Sequence, residues 1–117
     1  MRFSSHQTDR ARRRTLTLVT SGALMAIALM LALARQVPLA DLTTRAGKWA
    51  KSELIGVEIT GKCLGIIGCG NIGAIVADRA RGLRMRVVAF DPFITEEAAR
   101  RLRIELVSLD ELFAQAD

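Results

Sequence analysis

Short apolar runs alternate with segments of helical spacing over residues 62–117. The apolar runs are short and bounded by turn residues, as buried strands are, and the segments between them carry apolar side chains on one face. Strand and helix in alternation are typical of a parallel sheet with crossover helices, so an α/β fold is predicted. The predicted strands are residues 63–67, 85–90 and 104–107, and the predicted helices are residues 71–83, residues 95–102 and a segment that begins at Ser108.

A glycine-rich hexapeptide joins the first predicted strand to the first predicted helix. It runs from Gly68 to Gly73 as GCGNIG and fits the pattern G-x-G-x-x-G. The pattern alone is weak, but here a strand precedes it, a helix opens inside it, and Asp91 ends the second strand roughly twenty residues later. The sequence therefore predicts half of a Rossmann doubly wound parallel sheet, with about three strands, preceded by a long apolar helix.

Each position of the hexapeptide has a physical role in binding a dinucleotide. Gly68 allows a tight turn, Gly70 lets a pyrophosphate approach the backbone, and Gly73 lets the helix pack closely on the strand. Free N–H groups at Asn71 and Ile72 donate to the phosphates, helped by the helix dipole. The predicted cofactor-binding residues are Gly68, Gly70, Asn71, Ile72, Gly73 and Asp91.

Asp91 also indicates which dinucleotide is bound. Its carboxylate is expected to accept hydrogen bonds from the adenosine ribose hydroxyls and to repel a 2′-phosphate. Pro92 and Phe93 follow it and supply no arginine to hold such a phosphate. The sequence thus predicts NAD as the cofactor in preference to NADP.

The N-terminal residues differ in character from the rest. Five arginines lie within the first 14 residues, so most of the formal net charge of +5 belongs to this segment. Residues 1–15 are predicted to be a disordered, arginine-rich head. Nucleic acid is not predicted as a partner, because no basic face with stacking aromatic side chains extends over the remaining residues.

An uncharged apolar run follows over residues 16–34. Its length approaches a bilayer span, arginines precede it, and its end resembles a cleavage site, so a signal peptide or membrane anchor is an open alternative. Polar residues interrupt its first half, however, which favours a soluble, buried helix over residues 16–37, ended or kinked by Pro38. Residues 38–61 are predicted to be a connector, and residues 62–117 the truncated N-terminal half of an NAD-binding domain.

The cysteine and histidine content indicates neither a disulfide framework nor a metal site. Cys63 and Cys69 are the two cysteines, and His6 is the one histidine, far away in the head. Both cysteines are expected to be small buried apolar residues in a reducing compartment, which favours a cytoplasmic protein and makes a membrane location the alternative.

Residues 64–92, LGIIGCGNIGAIVADRARGLRMRVVAFDP, resemble the cofactor signature of the D-isomer-specific 2-hydroxyacid dehydrogenases. The flanking segments ALMLALARQVP, RAGKW and GVEITGK are similar to the branch of that family that acts on 3-phosphoglycerate, and the resemblance extends from Ala26 to Asp117. It implies NAD as cofactor, hydride transfer involving a small 2-hydroxy acid in the complete parent enzyme, and a possible homodimer with its contact near RAGKW.

The resemblance also implies what this chain lacks. The family's catalytic arginine, glutamate and histidine come from segments beyond Asp117, so no catalytic residue is assigned here. We expect an NAD-binding fragment with weak affinity at best, no hydride transfer by itself, and an unpaired edge at the first strand. Two alternatives stay open: a non-catalytic nucleotide-binding or interaction module, and a membrane-anchored protein that uses residues 16–34.

Overall fold

A computed structural model describes the backbone of residues 5–117 and the side chains of residues 8–117. In this part of the chain, helices and strands alternate from the first strand onward, as predicted. The elements are α1 (Ser5–Ala34), α2 (Val37–Arg45), β1 (Cys63–Ile67), α3 (Asn71–Gly82), β2 (Arg86–Phe90), α4 (Glu96–Leu102), β3 (Glu105–Leu106) and α5 (Leu109–Gln115).

The strands form a parallel sheet in the order β1-β2-β3. Gly65 of β1 lies opposite Val88 of β2, which lies opposite Glu105 of β3. This order confirms the predicted half of a doubly wound sheet. Within the described residues β1 is an edge strand, as expected, although Asp117 bonds to its first residue: the Asp117 N–H donates to the Cys63 carbonyl at 3.0 Å.

Helices cover both faces of the sheet. On one face, Ala77 and Ala80 of α3 are completely buried in the larger core cluster, and such small side chains let the helix lie close to the strands. On the other face, Leu112 of α5 packs with Val88 and Cys63 in a second cluster. Neighbouring strand residues therefore point to opposite faces, and each face has its own helical cover.

Helix α1 packs against the outer side of α3. Ala23 is completely buried and Ile27 is nearly so, although most of the surrounding helix is exposed. Gly22 brings the two helices together, because a Cβ at Gly22 would lie 3.3 Å from Cδ1 of Ile72. The dinucleotide-type turn at the start of α3 is thus held between β1 and α1.

The predicted disordered head is wrong for residues 5–15, which are the first part of α1. Arginine and alanine favour helix, and residues 5–15 contain neither glycine nor proline. Asp9 pairs with Arg13 at 3.1 Å across one turn, and the Thr15 hydroxyl donates to the Ala11 carbonyl. Residues 1–4 lie outside the described residues.

The predicted boundary between helix and connector is also different in the structure. α1 ends at Ala34, before the predicted limit of residue 37, and Gln36 adopts a left-handed conformation with φ of 54°. Pro38 then lies in the first turn of α2. A backbone N–H there has no acceptor within the helix, so the N–H that proline lacks costs no hydrogen bond. The predicted connector therefore begins with a helix, and it returns to the end of α1 through a 2.7 Å hydrogen bond from the Val57 N–H to the Ala34 carbonyl.

The stretch Thr8–Ala34 of α1 is long and apolar enough to cross a membrane when judged by length and composition, and an 18-residue window of it has a mean hydropathy of 2.2. One such helix is weak evidence, because signal sequences and core helices of soluble proteins meet the same criterion. Here one side of the helix contacts α3, but only 6% of its apolar 18-residue window is buried, so the prediction of a buried helix is wrong for most of this run.

Candidate dinucleotide-binding site

The turn after β1 is tied to the end of β2. Gly68 has a φ of +90°, a conformation that L side chains rarely adopt. Its N–H donates to the Phe90 carbonyl at 2.9 Å. The chain can therefore reverse sharply at the carboxyl end of the sheet while remaining attached to the neighbouring strand.

Gly73 makes the closest backbone contact in this turn. A Cβ at Gly73 would lie 2.1 Å from the Gly68 carbonyl oxygen and 3.4 Å from Cγ2 of Ile66. Any side chain would therefore push the first turn of α3 away from β1. This observation supports the packing role predicted for the third glycine of the motif.

Gly70 is the N-cap of α3 and provides no side-chain cap. The first N–H groups of a helix have no acceptor within that helix, so those of Asn71 and Ile72 are available to another group. A Cβ built on Gly70 would meet nothing within 4 Å, and both Asn71 and Ile72 are exposed. The surface above this helix start is thus open to an anion.

Asp91 lies directly beside this turn. Its Oδ2 accepts a hydrogen bond from the Cys69 N–H at 2.6 Å, and its Oδ1 accepts from the N–H groups of Phe93 at 2.8 Å and Ile94 at 3.2 Å. These donors, that of Phe93 first, lower the pKa of Asp91, so the carboxyl is ionised at neutral pH. The structure therefore brings all six predicted residues together at one strand-to-helix junction.

Cys69 was missed as a member of this junction. Sequence reasoning assigned it no role because it occupies a variable position of the motif, yet its N–H links the turn to Asp91. Burial, and secondarily the negative charge of Asp91, raises the pKa of the Cys69 thiol, so the group stays protonated. Both cysteines are buried and free, as predicted.

A cavity of about 760 Å³ opens beside the turn, with α1 as its second wall. This wall was also missed, because the segment that contributes Arg12 and Thr15 was predicted to be unstructured. Helical propensity was the signal that could have found it. Among the described residues, no group of three or more metal-ligating side chains occurs near this site or elsewhere.

Comparison with known proteins agrees with this geometry. Residues 27–117 match the family described as D-isomer specific 2-hydroxyacid dehydrogenase, NAD binding domain. D-3-phosphoglycerate dehydrogenase of Archaeoglobus fulgidus is 46% identical over 92 residues, which are 79% of this chain and 18% of that protein. The enzyme of the same name from Mycobacterium tuberculosis strain H37Rv is 46% identical over 99 residues, which are 85% of this chain and 19% of that protein.

Solved structures give the same assignment. The apo-structure of D-lactate dehydrogenase from Escherichia coli is 35% identical, with a TM-score of 0.78, and the match covers 85% of this chain and 31% of that one. The chain thus spans less than a third of the length of these proteins. The relatives are dehydrogenases, which favours a soluble protein over a membrane-anchored one. The open glycine turn, the adjacent ionised Asp91 and the sequence match agree, and the chain belongs to the D-isomer-specific 2-hydroxyacid dehydrogenase family, whose NAD-binding domain it represents in part.

Proposed function

We propose that this chain binds NAD at the junction of β1 and α3. The pyrophosphate lies against the N–H groups of Asn71 and Ile72, above the bare backbone of Gly70. The adenosine ribose bonds to Asp91. The observation that carries this proposal is the 2.6 Å hydrogen bond from the Cys69 N–H to Asp91, because it fixes a carboxylate beside the open start of α3.

The groups present suit a dinucleotide without a 2′-phosphate. Oδ2 of Asp91 accepts one hydrogen bond, and a carboxylate oxygen has capacity for a second, which a ribose hydroxyl can fill. The causes of the lowered pKa of Asp91 are backbone donors, and no cationic side chain of the described residues is among them. A 2′-phosphate would therefore meet an uncompensated negative charge.

We infer the reaction of the complete enzyme from the relatives. We propose that NAD accepts a hydride from a small 2-hydroxy acid, and that in the reverse direction NADH donates a hydride to the corresponding 2-oxo acid. The names of the relatives from Archaeoglobus and Mycobacterium favour 3-phosphoglycerate as that acid. By itself the chain is expected to bind NAD weakly and to transfer no hydride, because the described site holds a cofactor cradle to which we assign no acid or base.

We further propose a homodimer and a cytoplasmic location. Large apolar side chains are exposed along α1 and α2, and a second copy of this chain could cover them. The two free thiols are consistent with a reducing compartment. The exposed side chains on these helices are Leu16, Leu18, Leu24, Met25, Leu29, Leu33, Val37, Leu39 and Leu42.

Titration calorimetry of the 117-residue chain with NAD and with NADP tests the cofactor proposal. We expect NADP to bind at least roughly tenfold more weakly than NAD, since a charge repulsion of about 1.4 kcal/mol corresponds to that factor. Asp91→Asn keeps an oxygen that can accept a hydrogen bond from the Cys69 N–H but removes the negative charge. The variant should therefore reduce the difference between the affinities for NAD and NADP.

Asp110→Asn is the matched control for the titration. Asp110 lies exposed on α5, and no hydrogen bond to its carboxylate is found within the described part of the chain, so the control should retain the wild-type preference. Equal affinity of the wild-type chain for NAD and NADP would contradict the role proposed for Asp91.

A further inference from the structure

The cavity beside the glycine turn has two walls of different origin. One consists of the first turns of α3 and the two residues before it, namely Cys69, Gly70, Asn71, Ala74 and Ile75. The other is one face of α1, where side chains spaced three and four residues apart line up. The residues on the α1 wall are Arg12, Thr15, Leu16 and Val19.

Arg12 is the charged residue of this lining. Across residues 8–117, no carboxylate forms an ion pair with Arg12, whereas the next residue, Arg13, pairs with Asp9 at 3.1 Å. The cavity thus has a free guanidinium on one wall and unsatisfied backbone N–H groups on the other. Both walls favour an anion, and no lining residue carries a negative charge.

We propose that Arg12 binds the pyrophosphate of NAD from the side opposite the first turn of α3. The inference rests on the cofactor role proposed for this junction and adds a residue to it. A guanidinium offers several N–H donors in one plane, which suits two phosphate oxygens. At about 760 Å³, the cavity is within the range of roughly 300–1,000 Å³ typical of small-molecule sites.

Arg12 lies before residue 27, where the match to the NAD-binding domain begins. Its contribution would therefore be a property of this chain's own N-terminal helix. It also gives a physical role to the arginine-rich segment, whose residues 5–15 are helical. The N-terminal part of α1 would then form one wall of the phosphate site.

The test compares ADP and NAD affinities of Arg12→Gln and Arg14→Gln, measured by titration calorimetry. Each variant removes one positive charge from an exposed position of the same helix, but Arg14 lies about 200° further round the helix axis and is not part of the cavity lining. We expect Arg12→Gln to weaken both ligands about tenfold, as losing one charge-assisted hydrogen bond does, and Arg14→Gln to change affinity less than about twofold.

Two further readouts separate a phosphate contact from a structural effect. Arg12→Gln should reduce the dependence of the ADP affinity on salt concentration, because one ionic contact to the ligand is removed. Arg12→Lys should recover part of the affinity, because the positive charge returns. Circular dichroism of each variant verifies that α1 remains helical.

The outcomes distinguish this inference from the proposed function. If NAD binding depends on Asp91 while Arg12→Gln and Arg14→Gln bind ADP equally, the Arg12 contact is refuted and the cofactor site stands. An unchanged salt dependence in Arg12→Gln also refutes the contact. If the wild-type chain binds neither NAD nor ADP, the proposed function and the Arg12 contact are both overturned.

Discussion

Gly68 and Gly73 show how single residues determine the geometry of the glycine turn. Gly68 supplies a backbone conformation with φ of +90°, and Gly73 leaves the space that the Gly68 carbonyl occupies. Gly68 is therefore required by the backbone conformation, and Gly73 is required by the lack of space for a side chain. Neither reason applies to Gly70, because a Cβ there would have no protein atom within 4 Å. The missing side chain of Gly70 matters only for the approach of a ligand.

Gly73→Ala should destabilise the fold, and Gly82→Ala should not. The added methyl carbon at position 73 would lie 2.1 Å from the Gly68 oxygen, a backbone atom that cannot move without disturbing β1. We expect a loss of about 1–3 kcal/mol, the usual cost of overpacking a tight site. Gly82 ends α3 with nothing near its Cβ, so alanine there should be neutral or stabilising. Urea unfolding measures both, and equal midpoints for the two variants would contradict the contact.

At the scale of the elements, local sequence signals locate the helix starts well. Thr95 begins the predicted helix over residues 95–102, and its hydroxyl accepts from the Ala98 N–H at 3.2 Å as the N-cap of α4. Ser108 begins the next predicted helix and forms a capping box with Glu111, each side chain bonding to the other's backbone. These signals depend on side chains within one helical turn, so no distant contact is needed to produce them.

Ser108→Ala tests how much the capping box contributes. The variant leaves the Glu111 N–H without its partner and should cost about 1 kcal/mol of stability, because α5 carries the buried Leu112 of the second core cluster. Ser52→Ala, at an exposed turn outside the helices, serves as the control and should change stability by less than about 0.5 kcal/mol. Chemical denaturation gives both values. An unchanged Ser108→Ala midpoint would mean that α5 does not depend on its cap.

At the scale of the whole molecule, the apolar surface is unevenly distributed. One side of α1 packs on α3, while its other side and α2 present large apolar side chains to solvent. The molecule is elongated, 65 × 37 × 20 Å, because the 30-residue α1 extends beyond the sheet. Exposed apolar surface of this extent is typical of an interaction site, and we propose that a second copy of the chain covers it.

Leu29→Lys should shift the chain from dimer to monomer in sedimentation velocity experiments. Leu29 is 63% exposed on α1, so a lysine there has room in the single chain but would place a charge in the proposed contact. Phe113→Lys is the matched control, since Phe113 is equally exposed at 66% but lies on α5. A wild-type chain that sediments as a monomer would refute the dimer, and a wild-type chain that stays with membranes after carbonate washing would favour the membrane alternative.

The sequence by itself determined the strand and helix alternation, the helix caps and the six residues that meet at the strand-to-helix junction. These depend on periodicity, on capping side chains and on glycines at fixed spacing, all of which act within a few residues. Tertiary structure decided what depends on distant neighbours: the 2.6 Å bond between Cys69 and Asp91 and the wall that Arg12 forms. Local helix propensity accounts for the helix at residues 5–15, but only the packing of α1 on α3 fixes which of its side chains face the glycine turn.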